Sequence, residues 1–130
     1  EAARLLACDT VQVQADRAAA ALAIAARYQA LVVVKGCGSI VATPDGRCFV
    51  NTTGNPGLAS AGTGDVLSGL IVALLAQGWP ALEALLAGVH LHGTAADACV
   101  ATGQGPVGLT AGEIIDSARS CLNRWIAHGR

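Results

Sequence analysis

Gly62-Thr63-Gly64-Asp65 stands at the head of an apolar run that continues "VLSGLIVALLAQG". Glycines ahead of a helix leave its first N–H groups open to an anion, and the helix dipole favours negative charge there. A carboxylate at Asp65 would repel a phosphate unless it works beside one. Two readings stay open on these residues. Asp65 is a helix cap, a common use of aspartate at a helix start, or it is a general base held within reach of a proton. A cap alone does not require the lead-in "NTTGNPGLASAGTG", which is rich in Gly, Thr and Asn and long for a loop. Loops of that size in compact domains tend to be functional.

A second stretch, "VVVKGCGS" from Val32 to Ser39, is a β-branched run that ends in Lys-Gly-x-Gly-Ser. Open α/β sheets bind ligands at the carboxyl ends of their strands, where glycines let the backbone come close. Lys35, the chain's only lysine, could put a compact charge on a phosphate, and Ser39 could add a hydroxyl. The plainer alternative is a tight glycine turn with an ordinary surface lysine.

Other candidates carry less. His90 and His92 fall two apart in a helical segment, hence on different faces. One could approach a site while the other packs between helices. Asp97 is a ligand neighbour or, more simply, a partner for a nearby polar group. The five cysteines (Cys8, Cys37, Cys48, Cys99, Cys121) are odd in number and lack CxxC spacing, so they read as small buried hydrophobes of a reducing compartment. No His/Cys spacing suits zinc. "GQGPVG" matches GxGxxG by letter but follows a helix and contains Pro106, so the dinucleotide-loop geometry is missing. There is no Walker A sequence.

These residues need elements to position them. "EAARLLA" has helical spacing without a capping residue ahead of it, and Gln14 to Tyr28 is rich in strong helix formers. "ALVVVKG" reads as a strand of an α/β sheet. "SIVATPDGRCFVN" reads as a hairpin turning at Thr43-Pro44-Asp45-Gly46. Helices are expected at about 65–77, 81–101 and 109–127. The order strand, β-hairpin, then three helices is the carboxyl-terminal part of an α/β domain whose sheet began upstream.

At 130 residues the chain is one domain at most, 53% hydrophobic and 13% charged. Its aromatic residues are two tryptophans, one tyrosine and one phenylalanine, so Ala, Val, Leu and Ile must build the core. A net charge of −1 without charge runs argues against a nucleic-acid or membrane partner. The long apolar stretch after Asp65 is cut by Gln77, Gly78, Pro80 and Glu83, and reads as two buried helices rather than a membrane span. Absence of methionine, even at the start, suggests the carboxyl-terminal part of a longer protein.

"KGCGS", "NTTGNPGLASAGTGDVLSGLIVALLAQG", "EALLAGVHLHGTAAD" and "VGLTAGEII" closely resemble the carboxyl half of the ADP/ATP-dependent NAD(P)H-hydrate dehydratases. The resemblance runs from Glu1 to near the end and is dense from Val32 to Asp97. It implies a ribokinase-like three-layer α/β fold, with residues 1–130 the carboxyl-terminal portion of one domain. It also implies a cytoplasmic repair lyase that uses ADP or ATP with Mg2+ to dehydrate the S form of hydrated NADH or NADPH. In that resemblance Lys35, Gly36, Cys37, Gly38 and Ser39 would line the adenine nucleotide, with Ser39 where the family more often has Thr. Gly64 would lie against the phosphates, and Asp65 would touch the hydrated dinucleotide as the base. Asn51, Thr53, Asn55, Gly62 and Thr63 would shape the loop over the phosphates. Family members often form homo-oligomers. The family's upstream half, whose Pro-His-x-Gly-Glu segment Glu1 would end, lies outside this sequence. The alternatives are a ribokinase-like kinase for a sugar or vitamin precursor, and a nucleotide binder that turns nothing over. The hydroxymethylpyrimidine and thiazole kinases usually have Cys where Asp65 stands. Sugar kinases share Gly-x-Gly-Asp but lack the Asn-Thr-Thr-Gly-Asn-Pro-Gly lead-in.

Overall fold

Alanine-rich segments and short β-branched runs sort the chain into helices and a small sheet, and a computed structural model describes residues 1–129 of it. The chain divides into two units, Glu1–Asn51 and Thr52–Arg130.

The first unit carries α1 (Ala2–Leu6), α2 (Thr10–Ala15), α3 (Arg17–Tyr28), β1 (Val32–Val34), β2 (Ile40–Ala42) and β3 (Cys48–Val50). The sequence suggested one helix from residue 14 to 28, and the structure corrects this. Asp16 leaves helical geometry at φ −145° and its carboxylate accepts from the Ala19 N–H at 2.8 Å. An aspartate side chain competes for backbone donors, so it ends one helix and starts the next. Asp9 starts α2 in the same way, through a reciprocal capping box with Gln12.

Helix α3 buries Ala20, Ala21, Ile24 and Ala25 and packs on β1 and β2. Ala21 and Ala25 meet Val34, Ile40 and Ala42, so the contact is built largely from small residues. The sheet is an antiparallel meander ordered β1-β2-β3, with Val34 opposite Ile40 and Ile40 opposite Val50. The turn expected at Thr43–Gly46 is present. Thr43 bonds through its hydroxyl to Asp45, and the Gly46 N–H donates to the Thr43 carbonyl at 3.1 Å.

The second unit opens with an irregular loop containing a 3-10 turn, Pro56–Ala59, then α4 (Thr63–Ala76), α5 (Ala81–Ala101) and α6 (Ala111–His128). Helix α5 is its centre and packs against both α4 and α6. Leu91, Ala95, Ala96 and Cys99 of α5 form one buried cluster with Leu109, Ile114, Ala118 and Cys121. Each fully buried Leu or Ile contributes roughly 1.5–3 kcal/mol relative to exposure. By length and composition α5 could cross a membrane, yet half of its most apolar stretch is buried inside the protein, as befits a core helix.

Helix α6 begins at Ala111 rather than at 109, because Thr110 is its cap and Leu109 is buried ahead of it. Cys99 and Cys121 are buried as expected, and Cys8 is half-buried. Cys37 and Cys48 are exposed, against expectation, one in the turn after β1 and the other on the uncovered β3.

Candidate active site

Gly62 takes φ +82°, a conformation costly for any residue with a Cβ, and forms the N-cap of α4. Its carbonyl accepts from the N–H groups of both Asp65 and Val66 at 3.1 Å. No side chain caps the helix. The first turn is held instead through Thr63, which is buried. The Thr63 hydroxyl shares its proton between the carbonyls of Leu58 (2.7 Å) and Ser60 (2.9 Å). Its own carbonyl accepts from Nε2 of buried His92 at 2.8 Å. Of the two histidines, one expected to approach a site and the other to pack between helices, His92 anchors the start of α4 from α5. That bond also assigns a proton to Nε2.

Asp65 lies in this fixed first turn and is exposed. It does not serve as the cap. Its carboxylate makes no hydrogen bond or ion pair among the described residues. A rigidly mounted carboxylate with both oxygens unspent can take a proton from a bound hydroxyl.

The loop before α4 is clasped to α5. Asp97 accepts from the Gly54 N–H at 2.8 Å through one oxygen and from Asn55 Nδ2 at 3.0 Å through the other. Asn55 in turn accepts from the Gly57 N–H at 3.0 Å, and the Thr53 hydroxyl donates to the His90 carbonyl at 3.1 Å. At Gly93 the loop touches helix backbone. A Cβ there would lie 2.7 Å from the Thr53 carbonyl carbon and 2.8 Å from its oxygen, so only glycine fits. Asp97 is thus a partner for polar groups of the loop, the simpler of its two expected roles. The side chains of Thr53 and Asn55 shape the loop by bonding within the unit.

In the first unit, Lys35 to Ser39 form the turn from β1 into β2. The Ser39 hydroxyl donates to the Gly36 carbonyl at 3.1 Å and accepts from the Gly36 N–H at 3.3 Å. The Ser39 carbonyl accepts from the Asn51 N–H at 2.8 Å. Lys35 is exposed and makes no ion pair among the described residues.

Sequence reasoning missed Arg17. Its Nη1 donates to the Cys37 carbonyl at 2.6 Å, and its Nη2 donates to the Val34 and Gly38 carbonyls, each at 3.2 Å. One signal could have exposed it: arginine directly follows the capping Asp16, at the positive end of a helix dipole where a cation is disfavoured. No cluster of three or more His, Cys, Asp or Glu suits a metal among the described residues.

A family model described as NAD(P)H-hydrate dehydratase matches residues 1–119. The chain is 53% identical over 124 residues to the ADP-dependent (S)-NAD(P)H-hydrate dehydratase of Neisseria meningitidis serogroup B, covering 95% of this chain and 42% of that protein. It is 47% identical over 124 residues to the bifunctional NAD(P)H-hydrate repair enzyme Nnr of Vibrio cholerae serotype O1, covering 95% of this chain and 24% of that protein. Among solved structures, it resembles the ADP/ATP-dependent NAD(P)H-hydrate dehydratase of Bacillus subtilis co-crystallised with ATP/Mg2+. The TM-score is 0.81 at 37% identity, over 86% of this chain and 40% of that one. The chain therefore spans less than half the length of these relatives.

Proposed function

Because this chain belongs to the NAD(P)H-hydrate dehydratase family, we propose that its protein uses ADP or ATP to return the S form of hydrated NADH or NADPH to the reduced cofactor. The observation that carries this reading is Asp65, an exposed carboxylate without a hydrogen-bond or ion-pair partner among the described residues, in a first turn of α4 that has no side-chain cap.

Asp65 takes the proton from the hydroxyl of the hydrated nicotinamide ring. The freed oxygen attacks the terminal phosphoryl group of the nucleotide, and the leaving nucleotide is AMP from ADP or ADP from ATP. Phosphate then departs with the C–O electron pair, a proton leaves the adjacent ring carbon, and the dihydropyridine double bond re-forms. Base assistance of this kind contributes roughly 10²–10⁴-fold, with positioning and charge stabilisation adding to it.

Lys35, Gly36, Cys37, Gly38 and Ser39 serve the adenine nucleotide in this reading, and Gly64 serves its phosphates. Asn51, Thr53, Asn55, Gly62 and Thr63 shape the phosphate loop. Without a cluster of ligating side chains among the described residues, the donor set suits Mg2+ that arrives on nucleotide phosphates and keeps its waters, not a resident protein cage. Mg2+ would supply charge neutralisation on those phosphates. We place the protein in the cytoplasm, supported by five cysteines that are all free. We also propose that it forms a homo-oligomer, supported by exposed Val72 and Leu75 one turn apart on α4.

The test is recovery of reduced-nicotinamide absorbance by the complete gene product with magnesium, ADP or ATP, and hydrated NADH. Recovery that requires nucleotide, falls about 10²–10⁴-fold in Asp65→Asn and leaves nucleotide binding intact supports the reading. A phosphorylated alcohol as product would mean a small-molecule kinase instead. Nucleotide binding without any product would mean a non-catalytic binder.

A further inference from the structure

Arg17 opens α3 against the unfavourable end of the helix dipole, so something beyond the helix must favour it there. Its guanidinium makes no ion pair among the described residues. It donates instead to the carbonyl of Val34, just before the Lys35–Ser39 turn, and to those of Cys37 and Gly38 within it. The half-buried side chain fills the place where a Cβ on Gly36 would sit, 2.7 Å from Nη2 and 2.9 Å from Cζ. Its Nε is buried without a partner. A planar fork meets several fixed acceptors at once, which a flexible ammonium does poorly. With three carbonyls turned to the guanidinium, the turn keeps a formal positive charge that no carboxylate among the described residues pairs with.

We infer that Arg17 is the positioning residue for the nucleotide. It holds Lys35–Ser39 in the shape that accepts an adenine nucleotide and biases that turn toward an anion. The inference rests on the reading that this turn serves the nucleotide.

The experiment uses the complete gene product with Arg17→Ala and Arg17→Lys. It measures ADP and ATP affinity by calorimetry, KM for each substrate, kcat, and hydrogen exchange over residues 34–39. Charge-assisted hydrogen bonds of this kind lead us to expect nucleotide affinity about 10- to 100-fold weaker in Arg17→Ala. KM for the hydrated dinucleotide and kcat at saturating nucleotide should stay within about twofold, and exchange at the turn should quicken. Arg17→Lys should keep the charge yet recover little affinity, whereas added guanidinium should restore part of it to Arg17→Ala. Unchanged nucleotide affinity in Arg17→Ala overturns the inference. If that variant does not fold, Arg17→Lys decides, and wild-type affinity in it overturns the inference. Wild-type protein that binds no adenine nucleotide overturns the underlying reading of the turn, and the inference with it, even where exchange quickens in Arg17→Ala.

Discussion

Two aspartates in the second unit have opposite fates. Among the described residues Asp65 keeps both carboxylate oxygens unspent, and Asp97 spends both on the loop before α4. The consequence is a difference in what each substitution should cost. Asp97→Ala strips the Gly54 N–H and the Asn55 amide of a charged acceptor, so the protein should lose about 1.5–3 kcal/mol, read as a lower urea midpoint at unchanged slope. Asp65→Asn should leave that midpoint within about 0.5 kcal/mol of wild type. A large loss of stability in Asp65→Asn would make Asp65 a structural residue. The position of Asp65 in a helix first turn was legible because Gly62 and Gly64 precede it and an apolar helix follows. Arg17 was not, because the carbonyls it gathers lie 17 to 21 residues ahead and only the fold brings them to it.

At the scale of elements, caps and close approaches set the boundaries. Glu113 closes the capping box of α6, and bonds from the Thr110 hydroxyl and then the Thr110 N–H hold its carboxyl below the usual glutamate range. A lowered folded value means the stabilisation is present above the unfolded value and is lost as pH falls through the folded one. Urea midpoints measured across the acid range should therefore decline there. Glu113→Gln should flatten part of that decline, since glutamine can keep the box without titrating. Gly93→Ala tests the loop's seat on α5. A new Cβ must displace the backbone of Thr53, so about 1–3 kcal/mol should be lost, with faster hydrogen exchange over residues 53–55. The hairpin turn and the three later helices were readable from turn chemistry and apolar spacing. The break between α2 and α3 was hidden because alanine and arginine favour a helix on both sides of Asp16, and one side-chain bond to Ala19 overrides that preference.

For the whole molecule, composition foretold an aliphatic core. The buried hydrophobic residues are Ala, Val, Leu, Ile and Cys, with Thr43, Thr63 and His92 the buried polar ones among the described residues. Family resemblance reached further than composition because its motifs fall on the structure's special places: the Lys35–Ser39 turn, the clasped loop and the first turn of α4. Exposure was less legible. Nothing in the local sequence distinguishes Cys37 and Cys48 from Cys99 and Cys121, because burial depends on which faces other elements cover. Val72 is 62% exposed and Leu75 39%, both on α4. If they support assembly, sedimentation of the complete gene product should give a mass above one copy that falls on dilution, and a concentration-independent single-copy mass would remove the oligomer from the proposal.

The clasp of residues 53–57 onto α5 also sets the grain at which this protein can be recombined. Thr53, Gly54 and Asn55 are tied to His90 and Asp97, and Gly93 admits the loop's backbone. His92 ties the same helix to Thr63. A chimera that imports a relative's loop alone would set foreign backbone against a native seat. Loop, first turn of α4 and α5 form one inheritable cassette, and crossovers placed at its two ends should preserve folding where crossovers inside it do not.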